Sequence, residues 1–142
     1  MICSTFNFQR SSALWEALTE VSARPEVGVR IYLDRQAADG DPAPWKPTTD
    51  EVARTMPGAV VLRTTSWDGR DVKNHAKFIA VDHQFLIVGS ANFSMSAEQR
   101  NVELGIRIDD PLVTQAVERQ MALLEPFVYE RVLAGVAMRP EE

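Results

Sequence analysis

A chain of 142 residues, 45% hydrophobic and 25% charged, has room for one domain around one core and is neither fibrous nor disordered in composition. Its net charge of −5 argues against broad electrostatic adhesion to nucleic acid or anionic lipid, and no apolar run approaches a membrane span. A single cysteine, Cys3, excludes an internal disulfide; with no basic-then-apolar opening segment, the expected location is cytoplasmic.

Residues 2–8 read as a strand, with Cys3 as a buried thiol. Residues 12–23 then carry Leu14, Ala17, Leu18 and Val21 at helical spacing, with Ser11 or Ser12 as the cap. Val27 to Leu33 reads as a second strand, and residues 37–47 as a Pro/Gly-rich loop. Thr48 with Glu51 has the form of a capping box for a short helix that ends at Pro57-Gly58. Ala59 to Arg63 is a third strand, and Thr64 to Asn74 a polar loop holding Trp67-Asp68-Gly69. Between Arg63 and Lys77, the cations Arg63, Arg70, Lys73 and Lys77 outnumber Asp68 and Asp71.

Residues 77–82 and 85–90 are short apolar runs rich in β-branched residues, and His83-Gln84 between them reads as a hairpin turn. Asn101 to Ile108 alternates, which predicts a strand that turns Val102, Leu104, Ile106 and Ile108 inward. Asp110-Pro111 opens a helix with Val113, Ala116, Val117, Gln120 and Leu124 on one side. Pro126 is expected to break it, with a last helix over 127–138. Strand–helix–strand at the front and a helix after the last strand imply an α/β fold, a mixed sheet with helices on both faces.

With His83-Gln84 as the turn, Asp82 pairs with Phe85, Lys77 falls opposite Ser90, and His75 opposite Asn92. Directly opposed side chains share a face, so His75, Lys77, Ser90 and Asn92 converge, provided that the register holds. One imidazole, one ammonium, one hydroxyl and one amide around a common point suit a phosphate. Asp82 sits by the turn and reads as structural, and Gly89 as a place where backbone or substrate approaches closely.

These residues form the pattern H-x-K-x4-D-x6-G-S-x-N over His75, Lys77, Asp82, Gly89, Ser90 and Asn92. The pattern resembles the signature of the phospholipase D superfamily, whose fold is an α/β/α layered sheet. Thr5-Phe6-Asn7-Phe8 and Val29 to Asp34 look similar to its first two core strands, and Asn101-Val102-Glu103 to its later Asn-x-Glu element. The motif region and Arg100 to Glu103 also look similar to phospholipase-D-like proteins of DISARM-type antiphage systems. The resemblance implies that His75 attacks phosphorus to form a phosphohistidine, that Glu103 holds a histidine ring, and that Lys77, Ser90 and Asn92 hold the phosphate oxygens.

A second histidine is required as acid and base. The only other one, His83, lies in the turn, so the missing group is expected from a second copy, in a site shared across a homodimer. No metal or other cofactor is expected. The substrate expected first is DNA or RNA, cleaved by a nuclease. A non-catalytic nucleic-acid-binding subunit of a defence complex and a phospholipid-processing enzyme remain open. Small nuclease-type members carry a helix before the first core strand, and here Met1 leads straight into Ile2.

Overall fold

The computed structural model describes residues 1–133. Nine strands and five helices run in the order β1 (Ile2–Thr5), α1 (Ala13–Ser22), β2 (Arg30–Leu33), α2 (Arg35–Asp39), α3 (Thr49–Thr55), β3 (Val60–Thr64), β4 (Ser66–Trp67), β5 (Arg70–Asp71), β6 (Phe78–Val81), β7 (Phe85–Gly89), α4 (Met95–Gln99), β8 (Gly105–Ile108), α5 (Pro111–Val128) and β9 (Tyr129–Arg131). Seven strands form one sheet in the order β8-β7-β6-β1-β2-β3-β9; β4 and β5 pair separately. The β1–β2 and β2–β3 pairs are parallel, and every other neighbouring pair is antiparallel, so the sheet is mixed as expected.

Each face of the sheet is covered because each strand alternates. Cys3, Ile31, Leu33 and Val61 point to one face, where Leu18 of α1 and Val52, Ala53 and Met56 of α3 close the core. Tyr32, Leu62, Phe78, Ala80 and Leu86 point to the other, where Met121, Val117 and Leu124 of α5 cover them. The helix starts are set by the expected caps. Ser12 Oγ accepts the Leu14 N–H at 3.1 Å, and Thr48 Oγ1 accepts the Glu51 N–H at 3.2 Å. Asp110 Oδ1 accepts the Leu112 N–H at 2.9 Å, ahead of Pro111 at the first helical position. No helix among the described residues is long and apolar enough to cross a membrane.

Six expectations are corrected. The hairpin register differs by one residue: Val81 pairs with Phe85, and Phe78 with Val88. Asp82 and His83 both take left-handed backbone (φ 52° and 59°), and the Gln84 N–H closes the turn on Val81 O at 2.9 Å. The turn is therefore centred on Asp82-His83. Aspartate and histidine tolerate that region better than most residues. Lys77 falls opposite Gly89, whose N–H donates to Lys77 O at 3.2 Å, and not opposite Ser90.

The alternating apolar residues after the hairpin are also left largely uncovered. β8 is an edge strand, and Val102, Leu104 and Ile106 are exposed; only Ile108 packs against the core. Pro126 does not end α5, which continues to Val128. The proline ring removes one ladder bond near the helix end. Beyond it the Thr65 N–H caps Val128 O at 2.9 Å, and β9 pairs with β3. The expected helix over 127–138 is accordingly absent at 129–131, which is strand; its remainder beyond 133 lies outside the described residues. Finally, α2 occupies the start of the expected 37–47 loop, and a small hairpin forms inside the polar loop.

The buried Cys3 thiol is fully enclosed, and burial pushes its pKa up to about 12. The folded protein should therefore resist a thiol reagent at about pH 8 and react with it only after denaturation. Stoichiometric labelling of the native chain within minutes would show that the core at β1 opens.

Candidate active site

The segment that enters the motif is held by one buried side chain. Asn74 is 3% exposed. Its Nδ2 donates to Ser4 Oγ at 3.0 Å and to Thr5 O at 3.2 Å, and its backbone N–H donates to Asp34 Oδ1 at 2.7 Å. Tyr129 Oη donates to Asn74 Oδ1, and Ser4 Oγ donates to Ala76 O at 2.7 Å. These contacts join the ends of β1, β2 and β9 to the residues flanking His75. Asp34 also caps α2 by accepting the Ala37 N–H at 2.9 Å. The Tyr129 hydroxyl is pushed up to about 12, first by burial and then by the nearby charges of Asp34 and Glu125, so it remains a donor.

His75 is exposed, with its ring against Phe6 at 4.8 Å between centroids. Lys77 is 9% exposed, and its Nζ lies 2.9 Å from His75 O and 3.1 Å from His75 Nδ1. An ammonium only donates, so Nδ1 accepts here and a neutral ring carries its proton on Nε2. That tautomer is wrong for attack by Nε2. A carboxylate at Nδ1 would reverse it, as in other carboxylate–histidine pairs.

Glu103 does not supply that carboxylate to the His75 of its own chain. Ser90 Oγ donates to Glu103 Oε2, and Asn101 Nδ2 donates to Glu103 Oε1 at 3.3 Å. The Ser90 hydroxyl also accepts the Leu104 N–H at 3.1 Å, so Ser90 positions Glu103 and is not a free phosphate ligand in this state. Asn92 Oδ1 accepts the Asn7 N–H at 3.2 Å, which ties the motif to the end of β1; its Nδ2 has no protein partner among the described residues. The four-residue convergence thus does not form by direct cross-strand pairing. Lys77, Asn92 and Glu103 instead line one cleft of about 220 Å³, beside Gly89 and Glu98.

At Gly89 a Cβ would meet Leu104 O at 2.5 Å and Gly105 Cα at 2.9 Å, so the close approach of the segment entering β8 requires glycine at that point. Asp82 lies in the turn. His83 lies there too, largely exposed, with Nδ1 against Glu118. Five residues of strand separate Lys77 from Asp82, roughly 16 Å, so His83 is remote from His75. Of the cations near the motif, Arg63 is bound to Glu130 at 2.6 Å and Asp39 at 3.3 Å, whereas Arg70 and Lys73 are exposed. Among the described residues no three His, Cys, Asp or Glu side chains are grouped to hold a metal ion.

Sequence reasoning missed Ser4, Asp34, Asn74 and Tyr129. Each contributes through contacts distant in the chain. Only Asn74, next to His75, stood close enough to the motif to invite attention.

The family model described as "Cardiolipin synthase, PLD-like domain" matches residues 1–124. No curated protein matches the sequence significantly. Among solved structures, NucT from Helicobacter pylori superposes with a TM-score of 0.71 at 17% identity, covering 89% of this chain and 79% of that one. A phospholipase D family member, Nuc from Salmonella typhimurium, gives 0.69 at 20% identity, covering 94% and 80%. Phosphatidylserine synthase from Haemophilus influenzae Rd KW20 gives 0.61 at 21% identity, covering 99% of this chain and 35% of that one. At such identities these structures speak to the fold, and they share it. The family match across most of the length, together with the motif at His75, Lys77 and Asp82, leads to one conclusion: the chain belongs to the PLD-like domain family of the phospholipase D superfamily.

Proposed function

We propose that this chain is a metal-independent phosphodiesterase acting on DNA or RNA, with His75 as nucleophile and a second copy of the chain completing the site. One observation carries the reading: an exposed imidazole stands beside the ammonium of a nearly buried lysine, on a segment fixed by Asn74. In the first step a ring nitrogen of His75 forms a bond to phosphorus, and the bond to the leaving oxygen breaks. The partner's His75 protonates that oxygen. It then takes a proton from water, which attacks phosphorus, and the phosphorus–nitrogen bond breaks. Lys77 and the free amide of Asn92 hold the nonbridging oxygens and offset the charge that grows in the transition state.

Two features support the second copy. A single chain has one histidine in the motif, and among the described residues no carboxylate is bonded to its Nδ1. Glu103, held by Ser90 and Asn101, is assigned to the histidine of the other copy, where it would fix the tautomer. Beside Glu103, the edge strand β8 exposes Ile106, and Val102 and Leu104, just before it, are exposed as well. An exposed apolar edge of this kind is costly to a monomer and suits an interface.

The lipid-synthase description of the matching family model favours a second reading, a phospholipid-processing enzyme. Assays on oligonucleotides and on phospholipid vesicles in parallel separate the two.

His75→Ala should lower turnover by at least about a thousandfold. Protein quenched in base during turnover should carry acid-labile phosphate on His75, and EDTA should leave the rate unchanged. Full activity in the variant would overturn the mechanism. Lys77→Ala removes a cation at the developing charge, so kcat should fall more than KM rises. Lys77→Arg should recover little, because a planar fork places its donors differently from a compact ammonium. A raised KM with wild-type kcat would reduce Lys77 to uniform substrate binding.

A further inference from the structure

Beside the motif stands a small hairpin that the proposed chemistry does not use. Ser66 pairs with Asp71 and Trp67 with Arg70. Asp68 and Gly69 form its turn, both at positive φ (51° and 74°), the backbone that a tight two-residue turn requires. Directly opposed residues share a face, so Trp67 and Arg70 lie on one side. Ser66 and Asp71, bonded to each other at 3.2 Å, lie on the other.

Trp67 is 55% exposed, although tryptophan is usually far more covered. Its ring meets that of Phe127, 58% exposed, edge to face at 5.5 Å and 87°. The pair buries neither ring. The hairpin is nevertheless anchored, since the Thr65 N–H donates to Val128 O and the Val72 N–H to Thr65 O.

The same anchor reaches the nucleophile. Phe127 lies two residues before Tyr129, and Tyr129 donates to Asn74, which immediately precedes His75. Arg70 is five residues from His75, at most about 18 Å along an extended chain, and exposed Lys73 stands between them. Neither Arg70 nor Lys73 has an ion-pair partner among the described residues. An exposed aromatic ring, two free cations and His75 therefore follow one another along one short stretch of chain.

We infer that Trp67, backed by Phe127, is a stacking platform for an unpaired base, and that Arg70 and Lys73 carry the backbone of that single strand from the platform to His75. Every base has a π-face and every nucleotide a phosphate, so such a track binds single strands with little sequence preference. A duplex keeps its base faces inside the stack and gains little from Trp67. The inference deepens the proposed nuclease reading by naming its substrate class as single-stranded nucleic acid. It explains how an acidic chain binds a polyanion: the contact is local, and half of it is aromatic.

The test measures binding apart from cleavage. In a His75→Ala background, the affinity of a fluorescein-labelled oligothymidylate is read by anisotropy, alongside an abasic strand of equal length and a duplex. Trp67→Ala should weaken the oligothymidylate by about tenfold or more and leave the abasic strand unchanged, because the abasic strand has phosphates but no bases. Trp67→Phe should retain most of the affinity. Equal losses on both strands, no loss on either, or a duplex bound as tightly as the single strand would overturn the platform. Cleavage by the unsubstituted protein is scored separately. Turnover without a base-dependent effect of Trp67 leaves the nuclease and removes the platform; a base-dependent effect without turnover leaves the platform and removes the nuclease.

Discussion

The structure around the motif depends on the buried amide of Asn74. Three strand ends, β1, β2 and β9, are tied to the residue before His75 by its contacts to Ser4, Thr5, Asp34 and Tyr129. A side chain with two donors and an acceptor can satisfy Ser4, Thr5 and Tyr129 at once, while the backbone N–H of the same residue serves Asp34; an apolar residue of similar volume would leave Thr5 O and the Tyr129 hydroxyl short of partners. In return His75 stands exposed on a short extended segment without drifting, because both of its neighbours, Asn74 and Ala76, are bonded to the sheet. The precision that a nucleophile needs comes from a network one residue away.

Lys77 illustrates how the site exceeds simple strand geometry. It is almost covered, and its ammonium returns to the carbonyl and ring of His75. Two residues apart on one segment, the pair forms a unit whose arrangement within a single chain sets the imidazole tautomer unfavourable to Nε2 attack. Glu103 is held away by Ser90 and Asn101. An incoming phosphate would draw the ammonium toward itself, and a carboxylate from outside the chain would then claim Nδ1. Under the proposed mechanism, each chain alone is a half-site whose own lysine holds the resting tautomer.

Much of the fold was legible because local rules and tertiary structure agree. Ser12, one of two expected candidates, and Thr48 cap their helices, Asp110-Pro111 opens α5 as expected, and the alternation of the front strands matches the two layers. The site was legible as a set of residues from motif spacing, but not as a geometry. Its register turned on whether Asp82 belonged to the turn, and the tolerance of aspartate for left-handed backbone was the missed signal. The alternation of Val102, Leu104 and Ile106 reads the same for a buried strand and for an edge strand that awaits a partner; only the strand order distinguishes them. Asp68-Gly69, a strong hairpin signal, was hidden by the polar residues around it, and Pro126 was outweighed by the pairing of β9 with β3.

The central claim, that two chains supply one active site, is tested most directly by mixing. Unsubstituted protein is co-refolded with increasing proportions of His75→Ala chain at constant total concentration, and phosphodiesterase activity is measured. A mixed dimer has one histidine where two are needed, so activity should fall as the square of the unsubstituted fraction. A linear fall would show that a single chain suffices, and the half-site account would then be wrong.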